Sequence, residues 1–322
     1  MKQAYRFIFS LVFLMVTVTP WAQNIQKADV LIDMKKTLCE GAIWDWRNGE
    51  LLFIDIEEGK FFMFNPVNND LKEKKLGQKV GTVVPAVNGT ILLAMQKGIY
   101  ALNRKDASLR LLVVNPEISK PDNRFNDGKC DPSGRLWVGT MSMTYAKGKG
   151  SLYRLGHNGA VDKMLSGVTV SNGIAWSSDK KKMYYVDTPT FTVREFAYND
   201  KTGQIDTGRI VIHIPHDMGG PDGMTIDSDN KLWIAHYGGF AVRCWDPVSG
   251  KLVATVQVPA KNVTSCAFGG PNLDMLYITT ARQGNTAEEL QKYPYSGGVF
   301  VCKPGVKGVH ANYFGEEKSP VK

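Results

Sequence analysis

A turn followed by a short apolar strand recurs six times along the chain, and this repeat constrains the fold more than any other feature. The copies are Gly49-Glu-Leu-Leu-Phe-Ile, Gly89-Thr-Ile-Leu-Leu-Ala, Gly134-Arg-Leu-Trp-Val-Gly, Lys181-Lys-Met-Tyr-Tyr-Val, Asn230-Lys-Leu-Trp-Ile-Ala and Leu273-Asp-Met-Leu-Tyr-Ile. Their third residues, which we use as markers, lie 40 to 49 residues apart. Repeats of this length that contain several short strands are typical of propeller blades.

Helical solenoids have a similar period, but the residue types in these units favour strands. The units are rich in Val, Ile, Tyr, Phe and Trp, and Gly, Asn, Asp and Pro interrupt them. Only Thr286–Lys292 resembles a helix. The sequence therefore predicts an all-β fold, a six-bladed β-propeller of four-stranded blades in one domain at residues 24–315, with a C-terminal tail at 316–322. We expect the strand-like Val30–Met34 to complete the last blade and close the ring.

The first 22 residues have the pattern of a secretory signal peptide. Lys2 and Arg6 precede an apolar run from Phe7 to Val18, and the small residue Ala22 follows the run. A membrane anchor is the alternative, but the run is shorter than the roughly 20 residues that a spanning helix needs. We therefore predict a secreted or periplasmic protein that has no membrane partner after cleavage.

Charge and cysteine content exclude several function classes. The net charge of +8 is spread along the chain without a nucleic-acid-binding motif, so nucleic acid is not an expected partner. The five cysteines are odd in number, so at least one stays unpaired or pairs between chains. Cys130 and Cys266 lie in apolar strand-like runs, which favours buried free thiols, and no CxxC spacing supports a zinc-thiolate site. Nothing in the sequence indicates an oligomeric state.

Four units place an oxygen-bearing residue before Gly at nearly the same distance from the marker. The pairs are Glu40-Gly41, Asp127-Gly128, Asn172-Gly173 and Asp222-Gly223, and the other two units have Val84-Pro85 and Thr264-Ser265 there. Residues that occupy the same position in each blade lie at the same height along the channel axis. We therefore expect Glu40, Asn172 and Asp222 at one mouth of the channel. Asn126 and Asp127 would lie beside them. The alternative is that these pairs only mark turns.

Carboxylates that are crowded together repel each other unless a cation neutralises them. Ligands that are all oxygen select a hard ion such as Ca²⁺, Mg²⁺ or Mn²⁺. We therefore predict one divalent metal ion, with Ca²⁺ favoured and Mn²⁺, Mg²⁺ or Zn²⁺ as alternatives.

These segments resemble the regucalcin (senescence marker protein) and gluconolactonase family, and most of all its animal regucalcin and luciferin-regenerating enzyme branch. The resemblance rests on Cys39-Glu-Gly-Ala-Ile-Trp44, Asn123-Arg-Phe-Asn-Asp-Gly-Lys-Cys-Asp-Pro132, Gly139-Thr-Met141, Ser171-Asn-Gly173, Met183-Tyr-Tyr-Val-Asp187, Pro221-Asp-Gly223 and Leu232-Trp-Ile-Ala235. It implies a six-bladed propeller, a divalent metal and hydrolysis of sugar lactones, with a small lactone as the partner molecule.

Matched residue by residue, the resemblance also implies roles for individual side chains. Glu40, Asn172 and Asp222 match the metal ligands, and Asp222 also matches the proposed catalytic acid/base. Arg124 and Asn126 match substrate-binding residues.

The chain departs from the family in the loop Ser142–Gly150, where members with a carboxylate use it on the substrate. Here the loop is short and contains no acid. Thr144 in this loop and Tyr237 in another are expected to contact the substrate at the mouth. A calcium-binding propeller with little catalysis, or an esterase or organophosphatase on the same metal site, are the alternative functions.

Overall fold

The computed structural model describes Met1 and residues 24–315, which form six sheets arranged as blades. Apart from Met1, the predicted signal peptide at 1–22 lies outside the described residues, and so does the predicted tail at 316–322.

Each blade contains four main strands. Two N-terminal strands, β1 (Asn24–Lys27) and β2 (Asp29–Ile32), precede the blades in sequence. Blade 1 comprises β3 (Cys39–Asp45), β4 (Glu50–Asp55), β5 (Lys60–Asn65) and β6 (Asp70–Lys75). Blade 2 comprises β7 (Val80–Pro85), β8 (Ile91–Met95), β9 (Gly98–Leu102) and β10 (Leu109–Val114). Blade 3 comprises β11 (Asn123–Cys130), β12 (Leu136–Ser142), β13 (Gly150–Leu155) and β14 (Val161–Val168).

The second half of the chain repeats this arrangement with small additions. Blade 4 comprises β15 (Ser171–Trp176), β16 (Lys182–Asp187), β17 (Thr192–Asn199), β18 (Gln204–Ile205) and β19 (Arg209–His213). Blade 5 comprises β20 (Gly220–Ile226), β21 (Leu232–Tyr237), β22 (Ala241–Asp246) and β23 (Lys251–Gln257). Blade 6 comprises β24 (Asn262–Gly269), β25 (Met275–Ala281), β26 (Val299–Cys302) and the N-terminal strand β2.

The ring is closed, as predicted. The first strand of every blade contacts the first strand of the next, and β24 of blade 6 returns to β3 of blade 1. Strand β2 pairs antiparallel with β26, so the N-terminal segment completes blade 6. Strand β1 was not expected in a sheet, yet it adds a parallel fifth strand at the outer edge of blade 5 through pairing with β23.

The recurring turns fold as hairpins, and in two of them an Asp at the start of the turn accepts hydrogen bonds from residues a few positions later. In blade 3, Asp131 accepts hydrogen bonds from the amides of Ser133 and Arg135, at 3.1 and 2.9 Å. The same carboxylate accepts the indole N–H of Trp137 at 2.9 Å. Asp227 in blade 5 has the same indole bond, from Trp233 at 2.8 Å. A short-range Asp turn therefore joins the first strand to the second in both blades.

The core lies between the blades. Trp137 of blade 3 packs edge-on against Trp176 of blade 4, with ring centroids 6.0 Å apart. Trp44 stacks on Tyr277 across blades 1 and 6 at 5.5 Å. All five cysteines are buried and free, which confirms the prediction for the thiols.

Helical structure is limited to short segments among the described residues. Helix α1 (Ala287–Lys292) begins after Thr286, whose hydroxyl accepts the Glu289 amide at 3.1 Å while the Glu289 carboxylate accepts the Thr286 amide at 2.9 Å. Two 3₁₀ turns cover Thr188–Thr190 and His216–Met218. Within the described part of the chain, no helix has the length and apolar character to cross a membrane.

Candidate metal and substrate site at one mouth of the channel

The side chains of the site are directed by a bulge in each innermost strand. In β15, Ser171 pairs with Asp187 and Ile174 pairs with Tyr185, so two residues of β15 oppose one residue of β16. Strand β20 has the same irregularity between Pro221 and Met224. Strand β11 has it between Phe125 and Gly128, and β3 has it one position later, between Glu40 and Ile43, so Glu40 directly precedes its bulge. Because a bulge changes the direction in which side chains point, it can turn a polar residue of each strand into the channel.

The bulges also correct the alignment of two blades. In blade 2 the irregularity falls between Val80 and Thr82, so Gly81 is the equivalent residue, not Val84-Pro85 near the other end of the strand. In blade 3 the bulge contains Asn126 as well as Asp127. Counting residues back from the marker did not identify these two positions, because the hairpin turns of the blades differ in length.

The glycines after the polar residues allow neighbouring strands to approach closely. A Cβ at Gly173 would lie 2.7 Å from the Asp222 carbonyl oxygen and 2.6 Å from the Met224 Cβ. A Cβ at Gly223 would lie 2.6 Å from the Ser265 hydroxyl. Neither glycine requires a positive φ. Glycine is needed here for space, and this space brings Asn172 and Asp222 together.

The polar residues meet at a cavity of about 230 Å³. Six of the residues predicted from the sequence line it: Glu40, Arg124, Asn126, Asn172, Asp222 and Tyr237. The mouth loops after the second strands also contribute Tyr145, Thr188 and Gln283. The structure therefore brings the predicted metal ligands and, except for Thr144, the predicted substrate contacts to one place.

Two amides connect the floor of this cavity. The side-chain N–H₂ of Asn126 donates to the Asn172 side-chain oxygen at 2.9 Å and to the Ser171 carbonyl at 2.7 Å. The Asn172 N–H₂ donates to the Thr188 hydroxyl at 2.7 Å, and that hydroxyl donates to the Pro221 carbonyl at 2.7 Å. These bonds fix the Asn172 amide, and its carbonyl oxygen keeps a second lone pair for another partner.

Three buried carboxyl groups share the axis of the ring. Burial raises the pKa of Glu40 well above its usual value, and the charges of Asp222 and Asp127 raise it further. Burial and the Asp127 charge likewise raise the pKa of Asp222, and the Arg124 guanidinium opposes that shift. Burial also raises the pKa of Asp127, and the Lys129 ammonium opposes that shift. The negative charges therefore lack sufficient compensation from the protein.

The residues present fit a bound cation. Oε1 of Glu40 is buried and has no hydrogen-bond partner, although a buried carboxylate oxygen almost always has one. Within residues 24–315 no group of three or more His, Cys, Asp and Glu side chains is spaced to hold a metal ion. The donor set would therefore be Glu40 and Asp222 together with the amide oxygen of Asn172, all of which suit a hard divalent ion.

Arg124 places a fixed positive charge beside the carboxylates. Its Nη1 donates to the Phe125 carbonyl at 3.0 Å and also to the Asn126 side-chain oxygen. Burial lowers the pKa of the guanidinium. The charges of Glu57, Tyr145, Glu40 and Asp222 oppose that shift. An arginine keeps its charge under such conditions, so its remaining donors can serve a ligand in the cavity.

The loop Ser142–Gly150 reaches the mouth through a residue that the sequence did not indicate. The hydroxyl of Thr144 hydrogen-bonds to the Ser142 hydroxyl at 2.9 Å, and Thr144 does not line the cavity. Tyr145 lines it instead, in the left-handed backbone region with a φ of 58°. A left-handed tyrosine leaves no signal in strand or turn patterns, so only the folded loop could reveal it.

Comparison with known proteins agrees with this geometry. Residues 38–282 match the family described as SMP-30/Gluconolactonase/LRE-like region. The chain is 36% identical over 294 residues to regucalcin of Xenopus laevis, a match that covers 89% of this chain and 98% of that protein. It is 37% identical over 268 residues to a Bacillus subtilis protein provisionally named a sugar lactone lactonase, YvrE, across 83% of this chain and 91% of that protein.

A solved structure shows the same architecture. The crystal structure of regucalcin from Agrobacterium tumefaciens, described as a calcium-binding protein, superposes with a TM-score of 0.87 and is 26% identical. The match covers 91% of this chain and 100% of that one. The chain therefore belongs to the SMP-30/gluconolactonase/LRE-like family.

Proposed function

We propose that this chain is a metal-dependent hydrolase that opens the ring ester of lactones to give hydroxy acids. The observation that carries the proposal is the convergence of Glu40, Asn172 and Asp222 on one cavity, where Oε1 of Glu40 is buried without a partner. The names of relatives add support, because YvrE is provisionally named a sugar lactone lactonase and the family description includes gluconolactonases.

Glu40, Asn172 and Asp222 would hold the divalent ion, with Ca²⁺ favoured for the all-oxygen donor set. The bound ion supplies Lewis-acid polarisation of the lactone carbonyl. The acid/base role is assigned to Asp222, whose carboxylate would accept a proton from the attacking water. Arg124 donors face the same cavity and would orient the substrate oxygen atoms.

The floor amides serve this chemistry indirectly. Asn126 holds the Asn172 amide through its 2.9 Å bond and also accepts Arg124, so one residue positions both a ligand and a substrate contact. Groups that are held by a second layer of hydrogen bonds need little reorganisation during the reaction.

The test is a lactone panel assayed with purified protein, in Ca²⁺ and in chelator, for wild type and Asp222→Asn. We expect acid release that requires metal and is lost in Asp222→Asn, because the amide cannot accept the proton. Glu288→Gln, on exposed helix α1, is the matched control and should retain full activity. Turnover that survives both chelation and Asp222→Asn would reject the proposal.

Calcium binding without turnover of any lactone would instead support the second candidate, a calcium-binding propeller with little catalysis. The observation in its favour is that the loop Ser142–Gly150 contains no acid. Metal-dependent turnover of an organophosphate or a simple ester alone would favour the third candidate.

We also propose that the protein is exported, from the signal-peptide pattern of residues 1–22. N-terminal sequencing of the mature protein should show a new terminus near Gln23, and an intact Met1 would contradict export by cleavage.

A further inference from the structure

The cavity has a polar floor, formed by Glu40, Asn126, Asn172 and Asp222, and a wall above it that is largely hydrocarbon. Five aliphatic side chains line it, namely Leu38, Ile56, Met141, Val170 and Pro189. They come from the mouths of blades 1, 3 and 4, and Tyr145 and Tyr237 add aromatic rings. Apart from Glu40 and Asp222, no carboxylate lines the cavity among the residues that the structure describes.

The two-residue period of a strand explains why the wall lies directly above the floor. Leu38 precedes Glu40 by two residues, and Val170 precedes Asn172 by two. Residues two apart in a strand face the same side, so an apolar layer sits one step nearer the solvent than the polar layer. Only Arg124, two residues before Asn126, gives this upper layer a charge.

Most polar groups of the cavity already have protein partners. The Tyr237 hydroxyl donates to the Gln283 carbonyl at 2.7 Å, and the Thr188 hydroxyl accepts from Asn172 and donates to Pro221. Among the described side chains that line the cavity, Oε1 of Glu40 and Oε1 of Gln283 are buried without a hydrogen-bond partner, and Glu40 is assigned to the metal ion. The outer donors of Arg124 and the hydroxyl of the exposed Tyr145 are the other side-chain groups left for a ligand. This leaves few partners for hydroxyl groups on a ring.

We infer that the preferred substrate is a lactone with a short alkyl substituent and not a polyhydroxylated sugar lactone. This inference rests on the proposed lactone hydrolysis. A cavity of about 230 Å³ has room for about eight water-sized groups, which matches a five- or six-membered ring ester with a methyl or ethyl group. The carbonyl end would face the floor, and the alkyl group would contact Leu38, Val170 and Met141.

Unpaired hydroxyls provide the physical reason for the selectivity. A hydroxyl that leaves water and finds no partner in the cavity loses its hydrogen bonds, and this penalty is not repaid by contact with Leu38 or Val170. An alkyl group at the same ring position gains from leaving water. The two effects act in the same direction, so they add to the discrimination between the two substrate classes.

The test compares δ-hexalactone with D-glucono-δ-lactone, which share a six-membered ring ester and differ in its substituents. For each, kcat/KM is divided by the spontaneous hydrolysis rate. We expect a ratio of at least about tenfold in favour of δ-hexalactone. A ratio near one, or a preference for the sugar lactone, would overturn the inference while leaving lactone hydrolysis intact.

A binding measurement keeps the inference testable if no lactone is turned over, an outcome that would reject the proposed function. The probes are the unreactive lactams 6-methylpiperidin-2-one and D-glucono-δ-lactam, titrated by calorimetry in Ca²⁺. Tighter binding of the methyl lactam supports the inference. Tighter binding of the sugar lactam, or no binding of either, overturns it.

Val170→Thr tests the wall itself, because it adds one hydroxyl with almost no change of shape. It should reduce the preference for δ-hexalactone several-fold. Val168→Thr is the matched control, since Val168 is also buried but does not line the cavity. An equal change in both variants would show that the effect is not local to the wall and would overturn the inference.

Discussion

Neutralising Glu40 should stabilise the metal-free protein and remove its response to calcium. Glu40 and Asp222 are both buried and both line the cavity, and the charge of Asp222 raises the pKa of Glu40. Two unit charges about 4 Å apart repel by roughly 4 kcal/mol at an effective dielectric constant of about 20. Protonation of one carboxyl relieves part of this cost. We therefore expect Glu40→Gln to raise the free energy of unfolding by about 1–3 kcal/mol near pH 8 in chelator.

The pH dependence of this gain follows from the direction of the shifts. The pKa values of Glu40 and Asp222 are raised in the folded state, so the folded protein binds protons that the unfolded chain releases. The metal-free wild type should lose stability as the pH rises above the ordinary carboxyl range of about 4. Glu40→Gln should lose less, so the advantage of the variant should shrink as the pH falls towards 5.

Calcium should reverse the order of the two proteins. A ligand at a hundredfold excess over its Kd stabilises the folded state by about 2.7 kcal/mol, which corresponds to a shift in Tm of several degrees in a domain of this size. We expect this shift in the wild type and little of it in Glu40→Gln. Thermal unfolding in chelator and in Ca²⁺, at several pH values, measures both effects, with Glu288→Gln as the control.

A Glu40→Gln variant that is less stable than wild type in chelator, and that responds to calcium as strongly, would refute the reasoning. Glu40 would then act as a structural acceptor for the Gly41 amide, which donates to its carboxylate.

Three further predictions follow from the same contacts. Gly173→Ala should destabilise the protein by about 1–3 kcal/mol and weaken calcium binding, because the added methyl group would displace β20. The control Gly156→Ala should do neither, since the nearest atom to its added methyl group would be an exposed side-chain atom at 3.0 Å. Lys129→Met should tighten calcium binding at least about tenfold, measured by calorimetry, because the Lys129 ammonium competes with the cation for Glu40 and Asp127. An unchanged affinity would mean that the charge of Lys129 is screened from the site. The five buried thiols should react with a thiol reagent only as fast as the protein unfolds, and rapid labelling of the native protein would contradict their burial.

The sequence alone determined the architecture. The apolar repeat marks the start of the second strand in every blade, and Leu136 and Leu232 are the first residues of β12 and β21. Turn residues and the alternation of side chains along a strand act over a few positions, so a pattern within one repeat is sufficient to show them. Because the repeats are nearly equal in length, their phase also indicated that Glu40, Asn172 and Asp222 lie at one mouth.

Only the tertiary structure decided the details of the cavity. The bulge that includes Asn126 depends on how closely β11 approaches its neighbours, which no local pattern records. The left-handed conformation of Tyr145 brings its ring to the cavity in place of Thr144. The pairing of β1 with blade 5 joins residues more than two hundred positions apart. Contacts of this kind arise from packing between distant segments, so they become visible only when the ring has closed.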